Sequence, residues 1–469
     1  MRENKRKKFE QFGDHKARLF PHLHQRVDGE RVLSRTVTFQ VTDACNLACT
    51  YCYQINKGTR HMSFETAKKF VDLIFDEEKN NGYINPQNSP FIIIDFIGGE
   101  PLLEIELIDK IVDYFIEKAF ILEHPWATRY CISLCSNGVL YFDPKVQKFF
   151  NKHKNHLSLN ITIDGNKELH DSCRIFPDGR PSYDLAVAAA KDWMDNKKEY
   201  MGSKITIAPG NINYLNEALL HMINLGYEEI NANCVYEEGW ELEHAQELYK
   251  QMKKFSDYLI DNDLEYNIYC SLYEDSFFQP KNKEDMQTWC GGTNSLMLSC
   301  DPDGYLYPCI RYMESSLGDE REPIRIGHVD YGIYKTQEEQ EVQKCMNCVT
   351  RRSQTSDKCF YCPIASGCAD CAAYNYQVNG TVHSKATHIC IMHQARALAN
   401  IYFWNKIYIK NNENKHMLCY VPKEWAIPII GEEEYNMLIK LSGGKPGINP
   451  YETEFIKGCI EDEVDNKRY

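Results

Sequence analysis

Six short β-branched runs alternate with helix-like stretches: RTVTFQV (35–41), FIIIDFI (91–97), YCISLCS (130–136), LSLNITI (157–163), KITIA (204–208) and EINANCV (229–235). Between them run SFETAKKFVDLIFDEE, EIELIDKIVDYFIEKAF, DPKVQKFF, SYDLAVAAAKDWMDNKK and NYLNEALLHMINLG, each with apolar residues at helical spacing. Repeated strand–helix alternation predicts an α/β fold, a parallel sheet with helices outside it, as an open sheet or a partial barrel. Every strand ends in a short polar or glycine-bearing turn: TDACNLACTYC, GGEP, SNG, DGN, PGN and YEEGW. In a barrel of this type the carboxyl ends of the strands build the active site, so the six turns predict one shared ligand-binding face.

The first turn, DACNLACTYCY (43–53), carries Cys45, Cys49 and Cys52 within eight residues. Structural zinc and saturated iron–sulfur clusters take four protein ligands. Two readings follow. Either three thiolates hold a [4Fe–4S] cluster with one iron left for an amine-and-carboxylate chelator, or a zinc ion draws a fourth ligand from elsewhere. His61, the nearest histidine in sequence, lies beyond a loop.

The chain's 469 residues allow two or three domains, and no signal-peptide core follows the basic start MRENKRKK. Twenty cysteines without an export signal argue for metal ligands or catalytic groups in a reducing cytoplasm rather than a disulfide scaffold. The apolar runs are too short to span a bilayer, so no membrane partner is expected. A net charge of −14 argues against free nucleic acid as a partner, and a peptide-binding surface would have to be locally basic.

Ten of the cysteines fall between 290 and 390. WCGGTNSLMLSCDPDGYLYPC reads as a β-hairpin turning at Asp301-Pro302-Asp303-Gly304. The loop-rich stretch after it buries little apolar surface, which makes bound metal its source of stability. Residues 391–411 read as a helix over it, and the remainder shows no motif. The expected organisation is an N-terminal extension (1–35), a barrel (36–285), a cysteine-rich domain (286–411) and a tail (412–469). Cys131, Cys135, Cys173, Cys234, Cys270, Cys419 and Cys459 are scattered and read as small buried hydrophobes.

CNLACTYCY after the first strand and GGEP after the second resemble the radical S-adenosylmethionine (SAM) superfamily across about residues 36–235. The resemblance implies a partial (β/α)6 barrel in which the open iron of the cluster chelates SAM and reduction releases a 5′-deoxyadenosyl radical. It implies that Tyr51 lies near the adenine and that Gly98, Gly99 and Glu100 hold the methionine amine; the bland reading of the glycines is a tight turn. NITIDGNKELHDSCRIFPDGRPSYD (160–184) is similar to the pattern of radical SAM enzymes that modify peptides and proteins. By that likeness Thr162 and Arg174 approach the ribose and carboxylate of SAM, a guanidinium being able to grip a carboxylate twice. Ser136 and Asn137 are ribose contacts or a structural turn, and His170 and Asp171 are structural.

Cys290-x13-Gly304-x4-Cys309, Cys359-x2-Cys362-x5-Cys368-x2-Cys371 and Cys390 resemble the SPASM extension, which carries two auxiliary [4Fe–4S] clusters. The resemblance assigns Cys359, Cys362, Cys368 and Cys390 to an outer cluster and Cys290, Cys309 and Cys371 to an inner one, giving three clusters in all. The last gap is one residue shorter than the usual pattern. Cys300 stands too far along its strand from Cys309 to share a cluster. Cys348, Cys345 or an open iron binding substrate completes the inner set.

Anaerobic sulfatase maturases carry an acid directly after the YPC cysteine, where this chain has Ile310 and Arg311. KCFYCPIASGCADCAAYNYQVNG and the helix after it are instead similar to thioether-forming maturases of peptides with Cys-x-x-x repeats, the sactipeptide and ranthipeptide group. That likeness implies hydrogen abstraction from a precursor peptide and closure of a sulfur–carbon bond, with Arg311 suiting an acidic acceptor. It implies an electron donor of flavodoxin or ferredoxin type, and a low-oxygen cytoplasm. A sulfatase-type or other radical SAM protein maturase is the alternative, and a non-enzymatic iron–sulfur or zinc scaffold the outside reading. About 35 residues before the first strand are too few for a separate peptide-recognition domain.

Overall fold

All six expected strands form, in the expected order. The computed structural model describes residues 34–466 other than 55, 56, 198, 200, 238, 319 and 320, so the basic start and nearly all of the expected 1–35 extension lie outside the described residues. Strands β1 (Ser34–Thr42), β2 (Phe91–Gly98), β3 (Tyr130–Ser136) and β4 (Leu157–Ile161) pair in parallel, side by side. β5 (Ser203–Ile207) and β6 (Glu229–Cys234) pair in parallel with each other and with a two-residue β7 (Tyr269–Cys270). The ladder breaks between β4 and β5. Asp164, just past β4, bridges the break by accepting a 3.1 Å hydrogen bond from the Thr206 N–H of β5 at Oδ1. The result is a partial barrel whose strands read as near-continuous apolar runs because both faces are covered.

The covering helices are α1 (Phe64–Ile74), α2 (Ile105–Ile121), α3 (Pro144–His153), α4 (Lys167–Cys173), α5 (Tyr183–Lys191), α6 (Leu215–Asn224) and α7 (Leu242–Asp261). Their starts are written locally. The Ser63 hydroxyl accepts from Thr66 N–H at 2.9 Å, Asp143 precedes a proline in the first turn of α3, and Asn166 Oδ1 accepts from Leu169 N–H at 3.0 Å. Short α4 breaks the strand–helix rhythm and was not evident from periodicity.

The sheet does not stop at the boundary expected near residue 285. β8 (Met297–Cys300) runs parallel to β1, pairing Thr36 with Met297 through Phe39 with Cys300. β9 (Tyr305–Tyr307), β10 (Gly327–His328) and β11 (Gly332–Ile333) extend it antiparallel. The β8–β9 hairpin turns where expected, with Gly304 at φ +97° and Asp301 Oδ1 accepting from the Asp303 and Tyr305 N–H groups. Cys300 is fully buried within it, against the barrel core.

Beyond the hairpin come α8 (Gln337–Asn347), α9 (Ala372–Asn379) and α10 (Cys390–Lys410), then α11 (Lys423–Ile430), α12 (Glu432–Leu441) and α13 (Glu452–Asn466). α10 falls one residue from the expected 391–411 helix and lies against α7. Its Asn400 closes the core polar groups there, donating to the Leu272 carbonyl at 2.8 Å and accepting from Glu274 N–H at 2.7 Å. The tail is therefore structured: Tyr249 of α7 donates to Glu434 of α12 at 2.6 Å. No helix among the described residues is long and apolar enough to cross a membrane.

Candidate active site

A cavity of about 540 Å³ opens at the carboxyl ends of the strands. Cys45, Cys49, Cys52, Tyr51, Gly98, Gly99, Glu100, Ser136, Asn137, Thr162, Arg174 and Arg311 all line it. Five separate stretches of sequence thus meet on one face.

The cysteine loop hangs from the segment that carries Arg174: Ala48 N–H donates to the Ile175 carbonyl at 2.8 Å and Thr50 N–H to that of Cys173 at 3.0 Å. Burial pushes the Cys45 thiol up to about 11 and raises that of Cys49. The chain presses its β1 and β2 ends together here. A Cβ on Gly98 would stand 2.5 Å from the Thr42 carbonyl oxygen, and one on Gly99 would stand 2.3 Å from that of Ala44. Glycine is required for this close approach as well as for any ligand contact.

Glu100 is buried and already engaged. Its Oε1 accepts from Leu102 N–H at 3.1 Å and from the Ser136 hydroxyl at 2.9 Å, and Oε2 accepts from Asn137 N–H at 2.9 Å. Burial raises its carboxyl above the usual range, opposed by these donors. Ser136 also accepts from Gly138 N–H, while the Asn137 amide donates to Asn46 at 2.6 Å and accepts from Val139 N–H. As placed, Ser136 and Asn137 hold the strand-end turn, which favours the structural side of their two readings. The Thr162 hydroxyl is less committed, its one described neighbour being the Cys135 thiol at 3.6 Å.

Arg174 is fixed by a residue that the sequence reading passed over. Asp164 is fully buried; its Oδ2 accepts from Arg174 Nε at 2.8 Å and from the Tyr51 hydroxyl. Arg174 Nε also reaches the Tyr51 oxygen at 2.7 Å. Burial opposes the guanidinium charge, but Asp164 outweighs it and raises the Arg174 pKa. A carboxylate approaching Arg174 would meet the Nη edge. The available signal for Asp164 was its position, an acid directly after a buried strand end. His170 and Asp171 are structural, as read: burial lowers His170 to about 4, and Asp171 accepts from the Ser182 and Tyr183 N–H groups.

Arg311 lies across the cavity, over the Tyr53 ring, with Nη2 donating to Glu237 at 2.6 Å. Burial opposes its charge and Glu237 outweighs this, with a contribution from Cys371. It therefore stands between the cavity and the inner cysteines. Cys135 corrects its reading as a buried hydrophobe, being exposed to the same cavity, which Cys234 also lines; Cys131, Cys270 and Cys419 are buried as expected.

Cys359, Cys362, Cys368 and Cys390 line a second cavity of about 810 Å³. Lys385 reaches into it, donating to the Cys368 carbonyl at 2.9 Å; burial opposes its charge, yet the neighbouring thiols and Asp370 raise its pKa. Cys290 and Cys309 pack together with Tyr312, Met346 and Ala372, and Cys371 packs against them. Cys345 and Cys348 are both exposed. Cys345 is among the thiols whose charge acts on Tyr312, and its sulfur stands 3.6 Å from His383 Nε2.

Three thiols on one loop, four in one cavity and three around one buried ring are donor sets that fit iron–sulfur clusters. Tetrahedral zinc would draw its sulfurs to roughly 3.8 Å, given Zn–S bonds of about 2.3 Å. Among the described residues the one trio of candidate ligand atoms mutually within 4.8 Å is Asp109, Asp113 and His153, where Lys152 already pairs with both acids. No three cysteine sulfurs among the described residues lie mutually within 4.8 Å.

A 4Fe-4S single cluster domain model matches residues 27–172. A serine-type anaerobic sulfatase-maturating enzyme of Bacteroides thetaiotaomicron is 32% identical over 148 residues, 30% of this chain and 31% of that one. The antilisterial bacteriocin subtilosin biosynthesis protein AlbA of Bacillus subtilis is 22% identical over 343 residues, 71% of this chain and 66% of that one. A radical SAM cyclopropyl synthase, TigE of Paramaledivibacter caminithermalis, is 19% identical over 324 residues, 65% of this chain and 62% of that one. The chain is thus similar, over about two thirds of its length, to a bacteriocin biosynthesis protein and to a radical SAM cyclopropyl synthase. It spans less than two thirds of the length of each of these relatives. The radical SAM fold is also that of native anSMEcpe with bound AdoMet, with a TM-score of 0.58, 17% identity, and coverage of 80% of this chain and 99% of that one.

Proposed function

We propose that this chain is a radical SAM peptide maturase that closes sulfur–carbon thioether bonds in a ribosomally made precursor peptide. The observation that carries the reading is the single cavity in which Cys45, Cys49, Cys52, the GGE turn, Thr162 and Arg174 face Arg311. Cys45, Cys49 and Cys52 would hold a [4Fe–4S] cluster, and Cys359, Cys362, Cys368 and Cys390 an outer one. Cys290, Cys309 and Cys371 would hold the inner one, with Cys345 rather than Cys348 the better placed fourth ligand. The first cluster with SAM bound supplies a 5′-deoxyadenosyl radical after one-electron reduction by a flavodoxin- or ferredoxin-type donor.

The chain's own residues do the positioning. Arg174, locked at Nε by Asp164 and Tyr51, offers its Nη edge to the carboxylate of SAM. Thr162 offers a hydroxyl, and the Gly98–Glu100 turn offers backbone carbonyls to the amine. Thioether closure replaces one C–H and one S–H bond by a C–S bond. The carbon's hydrogen atom leaves on 5′-deoxyadenosine, the thiol gives up a proton, and one electron is left over, for which a cluster held by Cys290, Cys309 and Cys371 beside Arg311 would supply an acceptor. An acidic acceptor in the peptide would exchange with Glu237 for Arg311.

The B. subtilis relative named for bacteriocin biosynthesis supports a peptide substrate, as does the solved anSMEcpe complex with AdoMet and a peptide. Ile310 and Arg311 after Cys309, in place of an acid, weigh against the sulfatase-type alternative. The test is anaerobic reconstitution with SAM, reductant and a peptide of Cys-x-x-x repeats, read by mass spectrometry and 5′-deoxyadenosine release. Loss of two hydrogens per crosslink, absent in the Cys45→Ala, Cys49→Ala, Cys52→Ala variant, supports the reading. 5′-Deoxyadenosine with formylglycine on a sulfatase-derived peptide instead would replace it, and no 5′-deoxyadenosine from iron-loaded protein would remove it.

A further inference from the structure

Tyr312 has no exposed surface, and its hydroxyl oxygen has no hydrogen-bond partner among the described residues. A buried hydroxyl left unpaired is costly, so its persistence inside a packed site asks for an acceptor that the polypeptide itself does not supply. The surroundings say what that acceptor is. Tyr312 closes the single turn Ile310–Tyr312 after Cys309, its N–H donating to the Cys309 carbonyl at 3.1 Å. Its ring packs with Cys290, Cys309 and Ala372, and Cys371 packs against the same cluster. A Cβ built on Gly292 would stand 3.4 Å from the Cys309 sulfur and 3.5 Å from the Tyr312 ring, so ring and sulfur lie against one glycine. The charges acting on the hydroxyl, after burial itself, are those of the Cys290, Cys309, Cys371 and Cys345 thiols. The phenol packs against the inner cysteine set, and its hydroxyl has no partner among the described residues.

We infer that the Tyr312 hydroxyl donates a hydrogen bond to the iron–sulfur cluster held by Cys290, Cys309 and Cys371 and raises that cluster's reduction potential. The inference rests on the proposed reading that these cysteines hold a cluster. Its physical basis is charge. Reduction adds an electron to a centre whose sulfurs are already electron-rich, and a donor aimed at sulfur stabilises the reduced state more than the oxidised one. Burial strengthens the effect, because no water competes for the proton. In a thioether-forming reaction the inner cluster would take up the electron left on closing the C–S bond, so a raised potential makes it the better acceptor.

The test is a redox titration of the reconstituted full chain followed by electron paramagnetic resonance, in the wild type, Tyr312→Phe and Cys309→Ala. Cys309→Ala identifies the inner signal by losing it, together with about four irons per chain. Tyr312→Phe should keep the wild-type iron content while the midpoint of that signal alone moves to lower potential. In the iron-free protein Tyr312→Phe should melt no lower than wild type, since there the hydroxyl has no partner to lose. An unmoved midpoint in fully loaded Tyr312→Phe overturns the inference and leaves the cluster reading standing. Unchanged iron and signals in Cys309→Ala would overturn that reading itself.

Discussion

At the scale of single residues the cavity depends on a carboxylate that stands behind its lining. Asp164 holds Arg174, Tyr51 and the N–H of Thr206 at once, with its side chain 1% exposed. Removing one partner of a buried ion pair leaves the other uncompensated, at a cost of about 3 kcal/mol. Asp164→Asn should therefore lower the unfolding free energy read from a urea titration by that amount and weaken SAM binding, because the guanidinium loses its anchor. Asp171→Ala is the control: it removes hydrogen bonds to the Ser182 and Tyr183 N–H groups at about 1 kcal/mol and should leave SAM affinity at the wild-type value. Equal SAM affinity in both variants would mean that Arg174 keeps its place without Asp164. The same scale separates Cys345 from Cys348. Cys345→Ala should alter the resonance of the inner cluster and Cys348→Ala should not; the reverse pattern would return the fourth place to Cys348.

Among elements, the paired ends of β1 and β2 are the most exacting. Gly99→Ala drives a methyl to 2.3 Å from the Ala44 carbonyl oxygen and 2.7 Å from Cys45 Cβ, and the first of these is backbone that cannot swing aside. The expected outcome is loss of about four irons per chain, from the 43–53 loop alone. Gly210→Ala, which meets nothing within 4 Å, should load normally. The six strands, the hairpin and helix 390–410 were legible because apolar period, turn chemistry and length agree in those segments. The cavity lining was legible because motif residues sit at strand ends. Three features were not legible, and each depends on where separate elements meet. Asp164 matters because the ladder breaks between β4 and β5. Arg311 is paired because Glu237 follows β6 across the cavity. Cys135 faces the cavity because β3 ends one residue beyond it, and period-two alternation did not reveal its neighbour.

For the whole molecule, the expected boundary at residue 285 is a change of composition and not a seam. β8 occupies the edge of β1 that faces away from β2, pairing along Thr36–Phe39. Side chains fasten the same joint: Tyr83 donates to the Met297 carbonyl at 2.9 Å, Gln40 to Ser315 at 3.2 Å and Arg60 to Asp303 at 2.8 Å. At the far side of the barrel α10 lies on α7 and its Asn400 satisfies Leu272 and Glu274. The cysteine-rich region thus grips both flanks of the cavity mouth, which is what sets Arg311 between the first cysteine loop and the inner cysteines. Cutting the chain at 285 would bare the β1 edge, a row of unpaired backbone groups flanked by fully buried Val37 and Phe39, the kind of edge that aggregates. A fragment of residues 1–285 should therefore elute as aggregate on size exclusion and fail to cleave SAM after reconstitution, although it keeps every residue of the first cysteine loop. A monodisperse fragment that holds about four irons and releases 5′-deoxyadenosine would show instead that the barrel folds alone. The β1–β8 joint would then serve only to bring the second cysteine field to the first.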